Sequence, residues 1–151
     1  MLRRYVPLHL TERDRVLQQN MLMKSRKMYK KHQYYTRKKV ASYKYRPSKH
    51  VQNARDLYQV DTIGPTPELA KKTGCSVSAL QQIVKKGEGA YYSSGSRPNQ
   101  TPQSWGIARL ASAITAGNAA IVDYHILKTC HPKKKAYQLA TQKIKLNKQK
   151  K

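Results

Sequence analysis

Thirty-one lysines and arginines stand against seven carboxylates in a chain of 151 residues, and this imbalance limits how the chain can fold. A net charge of +24 repels itself in any compact state, so burial must come from a small apolar set while the charge stays at the periphery. The charge is unevenly placed. Residues 1–60 carry 16 Lys/Arg against three acids, residues 128–151 carry nine lysines and no acid, and residues 61–127 carry six basic and four acidic groups. The pattern predicts a basic, tyrosine-rich N-terminal arm with helices over 1–60, a central helical module over 61–127 and a lysine-rich segment over 128–151. Single-sign arms predict contact with nucleic acid, with acidic protein, or peripherally with an anionic membrane. The candidate polyanion-binding residues are Lys30, Lys31, Arg37, Lys38, Lys39, Lys44 and Arg46 in the first arm and Lys133, Lys134 and Lys135 in the last.

With 38% hydrophobic residues the length allows one domain and a small core. Eleven tyrosines and no phenylalanine point to contact surfaces, since a tyrosine can bury its ring and keep its hydroxyl hydrogen-bonded. Tyr29, Tyr34, Tyr35, Tyr43 and Tyr45 alternate with basic residues, an arrangement able to stack on bases or to pack into protein grooves. Arg3 and Arg4 are not followed by the apolar stretch of a secretory signal. The longest apolar run, residues 119–122, is far below the ~20 residues of a spanning helix. Cys75 and Cys130 lie far apart without a partner motif, which predicts free thiols in a reducing compartment; nothing in the spacing supports a disulfide.

Helix signals recur. Thr11 followed by Asp14 resembles a capping box opening a helix to about Lys30, with Leu17, Met21, Met28 and neighbouring Val16 on its apolar face. Residues 31–47 lose that periodicity and read as extended up to Pro47. Ser48 is expected to cap a short helix bearing Val51, Ala54 and Tyr58. Thr66-Pro67 and Thr101-Pro102 are further starts. Between them Ala70, Gly74 and Leu80 match the spacing of a helix-turn-helix, although Ser76, Ser78, Gln81 and Gln82 are a weak set for reading bases. Ile107, Leu110, Ala111 and Ile114 form the best core stripe, with Gly106 and Ala108 keeping the flank small. Gly117 should end that helix and Asn118 cap another carrying Ala119, Val122 and Ile126. After His131-Pro132, an amphipathic segment with Tyr137, Ala140, Thr141 and Ile144 should fray over residues 147–151. The expected fold is mainly α: a small helical core with a helix-turn-helix-like pair and a Gly/Ser/Tyr-rich loop, flanked by extended basic arms.

That loop, residues 86–106, is compositionally unlike its surroundings. Gly87, Gly89 and Gly95 supply backbone freedom, while Pro98 and Pro102 stiffen the chain beyond them. Tyr91, Tyr92, Ser94, Ser96, Arg97, Asn99, Trp105 and Arg109 are the candidate interaction residues. Asp123 is the acid expected to pair with Arg97 or Arg109 and fix the loop. Trp105 and Arg109, one turn apart, are expected to form a cation–π pair or a core edge. The loop lacks the Gly-Lys-Ser/Thr ending of a nucleotide cradle, though Arg97 and backbone amides could take a phosphate or carboxylate. Asp123 and His125 do not share a helix face, and Cys130-His131 lacks the second pair of a zinc site. No catalytic residue, metal ligand or cofactor is therefore expected.

The string GAYYSSGSRPNQTPQSWG at residues 89–106, continued by IARLASAIT at 107–115 and Asp123, resembles a family of small basic proteins of large nucleocytoplasmic DNA viruses. The likeness extends to Leu69-Ala-Lys-Lys-Thr-Gly-Cys75 and, more loosely, to residues 25–29 and 48–50. It implies association with a capsid, other capsid proteins as partners, and a location in the virion and in the host cytoplasm or nucleus during assembly. The expected function is a non-enzymatic minor capsid protein linking capsid subunits. The alternative is a protein that binds the packaged viral DNA, through the helix pair or through phosphate contacts alone.

Overall fold

The structure is a computed structural model that describes residues 2–150. It is mainly helical, as expected, with no strand among the described residues. After a short 3-10 turn at Leu2–Tyr5 come α1 (Glu12–Lys30), α2 (Lys49–Tyr58), α3 (Pro67–Thr73), α4 (Val77–Ser93), α5 (Pro102–Ile114), α6 (Asn118–Val122), α7 (Tyr124–Leu127) and α8 (Lys135–Gln149). The chain forms two compact units that cut across the charge-based division. One contains Met1–Pro47 and Glu88–Trp105, the other Ser48–Gly87 and Gly106–Lys151.

The second unit has the larger apolar core. Ala54 and Tyr58 of α2, Leu69 of α3, Leu80 and Ile83 of α4 and the α5 stripe Leu110, Ala111 and Ile114 are almost fully buried, with Ile107 half-buried beside them. Thr66 accepts from the Leu69 amide at 3.2 Å and Ser76 from the Ala79 amide at 3.0 Å, so both members of the helix pair begin at side-chain caps. Between them Gly74 sits at φ 77°, and a Cβ there would lie 2.6 Å from Lys134 Cγ. Gly87 of α4 meets Gly106 of α5 at backbone distance: a Cβ on Gly87 would fall 2.6 Å from Gly106 Cα. Small residues on α5 do permit close approach.

Several expectations fail here. Cys75 and Cys130 are not free thiols but a disulfide, with Cα atoms 4.3 Å apart. The fold brings the turn after α3 beside the end of α7, where the His131 amide also donates to Gly74 O at 2.9 Å. The inference of a reducing compartment loses its support. Asn118 is not a cap but the first helical residue; Gly117 occupies the cap position and Ser112 Oγ takes the Ala119 amide at 3.2 Å. The helix expected to carry Ala119, Val122 and Ile126 is broken at Asp123 into α6 and α7, which leaves Val122 59% exposed. The C-terminal segment does not fray at 147: α8 continues to Gln149, and Lys151 lies outside the described residues.

The first unit is organised differently. Among the described residues its clustered apolar core is Leu10, Met21 and Val40, with Tyr35 and Tyr43 packed against it. The buried face of α1 is Gln18, Met21, Leu22 and Ser25; of the expected face Met21 is buried, whereas Leu17 and neighbouring Val16 are 41% and 54% exposed. Polar Gln18 and Ser25 belong inside because each has a partner: Gln18 Nε2 donates to Tyr5 O at 3.1 Å and Ser25 Oγ to Tyr92 O at 3.2 Å. Thr11 caps α1 through the Asp14 amide, but Asp14 does not close the capping box. Its carboxylate instead accepts from the backbone and hydroxyl of Ser42, while Thr11 N donates to Ser42 Oγ at 3.0 Å. These Ser42 bonds hold the Asp14 carboxyl below the ordinary carboxylate range. Residues 31–47 form neither helix nor strand, with turns at 31–32 and 41–42, and are folded in: Arg37 and Val40 are buried.

Candidate functional site

The Gly/Ser/Tyr-rich stretch is not one long loop. α4 runs through Gly87, Gly89, Tyr91 and Tyr92 to Ser93, and α5 starts at Pro102, so only residues 94–101 are irregular. Helical hydrogen bonding already engages the backbone from Gly89 to Ser93, so the amides of that part of the stretch are not open to a phosphate or carboxylate. Thr101 and Ser104 close the loop with reciprocal bonds of 3.0 and 2.9 Å at the start of α5.

The arginine that organises this region is Arg37. Its backbone amide donates to Tyr91 Oη at 2.9 Å, and its guanidinium lies over the same ring, 3.8 Å from the centroid. One terminal nitrogen donates to Ser25 Oγ and to Tyr91 O, both at 2.9 Å, and the other to Ser96 Oγ at 2.8 Å. Every one of these acceptors is neutral. Burial pushes the Arg37 pKa down, with the nearby tyrosines opposing, and pushes the Tyr91 hydroxyl up, with Arg37 opposing. An arginine starts high enough to stay cationic, so a charge sits in a shell of hydroxyls, a carbonyl and a ring face. Around it Arg26 Nε donates to Ser94 O at 2.9 Å, and Asn99 exchanges two bonds with the Val40 backbone at 2.7 and 3.2 Å.

Most of the expected interaction residues therefore face inward within their own unit. Tyr91 and Ser96 are buried; Tyr92, Asn99 and Trp105 are half-buried. Trp105 meets Tyr5 edge-on at 5.9 Å, which fits the core-edge alternative of the two expected for it. Ser94 and Arg97 are exposed, and Arg97 makes no side-chain hydrogen bond or ion pair among the described residues. Half-buried Arg109 grips fully buried Asp123 with two bonds of 2.8 Å, realising one of the two expected pairings, and Lys86 adds a contact at 3.2 Å. Lys86 Nζ also lies 3.4 Å from His125 Nε2. Among the described residues no three His, Cys, Asp or Glu side chains gather around a point that could hold a metal ion.

Of the residues expected to meet polyanions, Lys30, Lys31, Lys38, Lys39, Lys44, Arg46, Lys133, Lys134 and Lys135 are exposed, whereas Arg37 is buried and unavailable. Lys24 and Lys27, absent from the residues expected on sequence grounds, add to the basic residues of the first unit along α1, where Met23, Arg26 and Lys30 join them around a shallow hollow. Their one-turn spacing inside a recognised helix was the signal that could have found them. Among the described residues no helix is long and apolar enough to cross a membrane.

Together these features define a small helical protein with a disulfide, a polar-braced first unit and a cationic surface. The chain belongs to the family of unknown function DUF5824, whose sequence profile matches residues 4–137. No curated protein and no solved structure matches it.

Proposed function

We propose that the chain is a non-enzymatic structural protein of a large DNA virus particle, a minor capsid component that attaches to neighbouring subunits through a cationic surface. The viral setting rests on the resemblance of residues 89–115 to small basic proteins of such viruses. The observation that carries the reading is where the carboxylates are. Each compact unit has an excess of +12, from 15 Lys/Arg against three acids in one and 16 against four in the other. Of those few acids, Asp123 is fully buried against Arg109 and Lys86, and Asp14 is tied to Ser42. Burial removes Asp123 and Arg37 alike, so the outer surface keeps the one-signed excess of the composition, which favours attachment to an acidic partner over a free existence. Residues such as Tyr91, Ser96 and Asn99 are engaged in holding the fold of the first unit.

A genome-associated role is the second reading, favoured by the absence of any acid between Arg15 and Arg55, a stretch that includes most of α1 and all of residues 31–47. Fractionation of purified particles separates the two. The structural reading expects the protein to remain with opened, nuclease-treated shells; departure with the released genome would transfer the assignment to the second reading, and absence from particles would end both.

A further inference from the structure

Tyr34 is 67% exposed, yet its ring is not loose. Its centroid lies 5.1 Å from that of Tyr92 and 6.2 Å from that of Tyr29, and the Tyr29 and Tyr92 planes are parallel within 5°. Tyr92 meets Tyr91 edge-on at 5.1 Å, and Tyr91 is fully buried beneath the Arg37 guanidinium. An aromatic relay thus runs from the interior of the first unit to a solvent-facing ring. Exposed Lys30 and Lys31 lie between Tyr29 and Tyr34 in sequence, and Lys24 and Lys27 continue the charge along α1.

We propose that this surface binds single-stranded nucleic acid, with a base stacked on Tyr34 and phosphates engaged by Lys27, Lys30 and Lys31. A planar π face in a segment dense in cations matches a ligand that carries flat rings and regular negative charge together. Acidic protein would use the charge but leave the ring without a flat partner, and a duplex covers the faces of its bases. Bracing by Tyr29 and Tyr92 means little side-chain freedom is lost when a base stacks. The inference goes beyond the structural reading and concerns the purified chain whether or not it resides in a particle.

The test uses the full chain, labelled oligothymidylate and polyglutamate as an acidic protein surrogate, followed by fluorescence anisotropy. Tyr34→Ala should weaken oligothymidylate binding about tenfold, whereas Tyr34→Phe, which keeps the ring, should stay within about twofold of the parent. Polyglutamate binding should be the same for all three. Replacing Lys30 and Lys31 together with glutamine should reduce the slope of log affinity against log salt by about 0.7 per lysine. The proposal is overturned if Tyr34→Ala binds oligothymidylate like the parent, or if it loses polyglutamate affinity equally, which would mark a general acidic-partner surface. Circular dichroism checks that the alanine variant folds. Should it not, an unchanged salt slope in the lysine variant overturns the proposal by itself.

Discussion

Arg37 brings a charge into a site that offers it no carboxylate. Burying an unpaired ion is unfavourable, and the site tolerates it only because Ser25, Ser96 and the Tyr91 carbonyl accept its protons while the Tyr91 ring faces its plane. A lysine would keep the charge but not the planar fork that reaches three acceptors at once. Arg37→Lys should therefore lower unfolding free energy by about 2–3 kcal/mol, against about 0.5 kcal/mol or less for Arg97→Ala, whose side chain is exposed. Urea unfolding of both variants measures the difference, and a larger loss in Arg97→Ala would contradict the assignment. The sequence points to Arg97 because it lies inside the unusual stretch. Arg37 is 54 residues from Tyr91 and 59 from Ser96. No local pattern reports such a contact. The Asp123–Arg109 pair was legible for the opposite reason: acids are so scarce that few pairings could be drawn.

At the scale of elements, starts were easier to read than ends. Thr66 and Thr101 announce α3 and α5 because a side-chain cap is a local event, and the α5 stripe announces its buried face through spacing alone. The course of α4 was misread because Gly87 and Gly89 look like loop residues. Glycine inside a helix is a penalty of about 0.5–1 kcal/mol relative to alanine, which packing can outweigh. At Gly87 the packing is visible in the crossing with Gly106, whereas a Cβ at Gly89 would meet nothing within 4 Å. The two positions should respond with opposite sign. Gly87→Ala should destabilise by about 1–3 kcal/mol through the clash, and Gly89→Ala should stabilise by about 0.5–1 kcal/mol through helix propensity. Thermal unfolding of the pair checks this, and equal signs would show that the crossing does not select glycine.

For the molecule as a whole, the helical class was evident from caps and periodicity, while the grouping into two units was not, since it depends on which distant segments share a core. The disulfide was hidden for the same reason: Cys75 and Cys130 are 55 residues apart. Closing a loop of that length restricts the unfolded chain by up to about 4 kcal/mol. Reduction, or Cys75→Ser with Cys130→Ser, should lower unfolding free energy by about 2–4 kcal/mol, seen as a shift in denaturation midpoint with and without reductant. No shift would mean that the thiols are unpaired in solution. The bond also changes how the chain transmits force. Tension applied at its two ends passes directly between Cys75 and Cys130, so residues 76–129, with α4, α5, α6 and α7 among them, form a bypassed ring. A backbone break anywhere in that ring, the 94–101 loop included, opens the polypeptide without letting either half go.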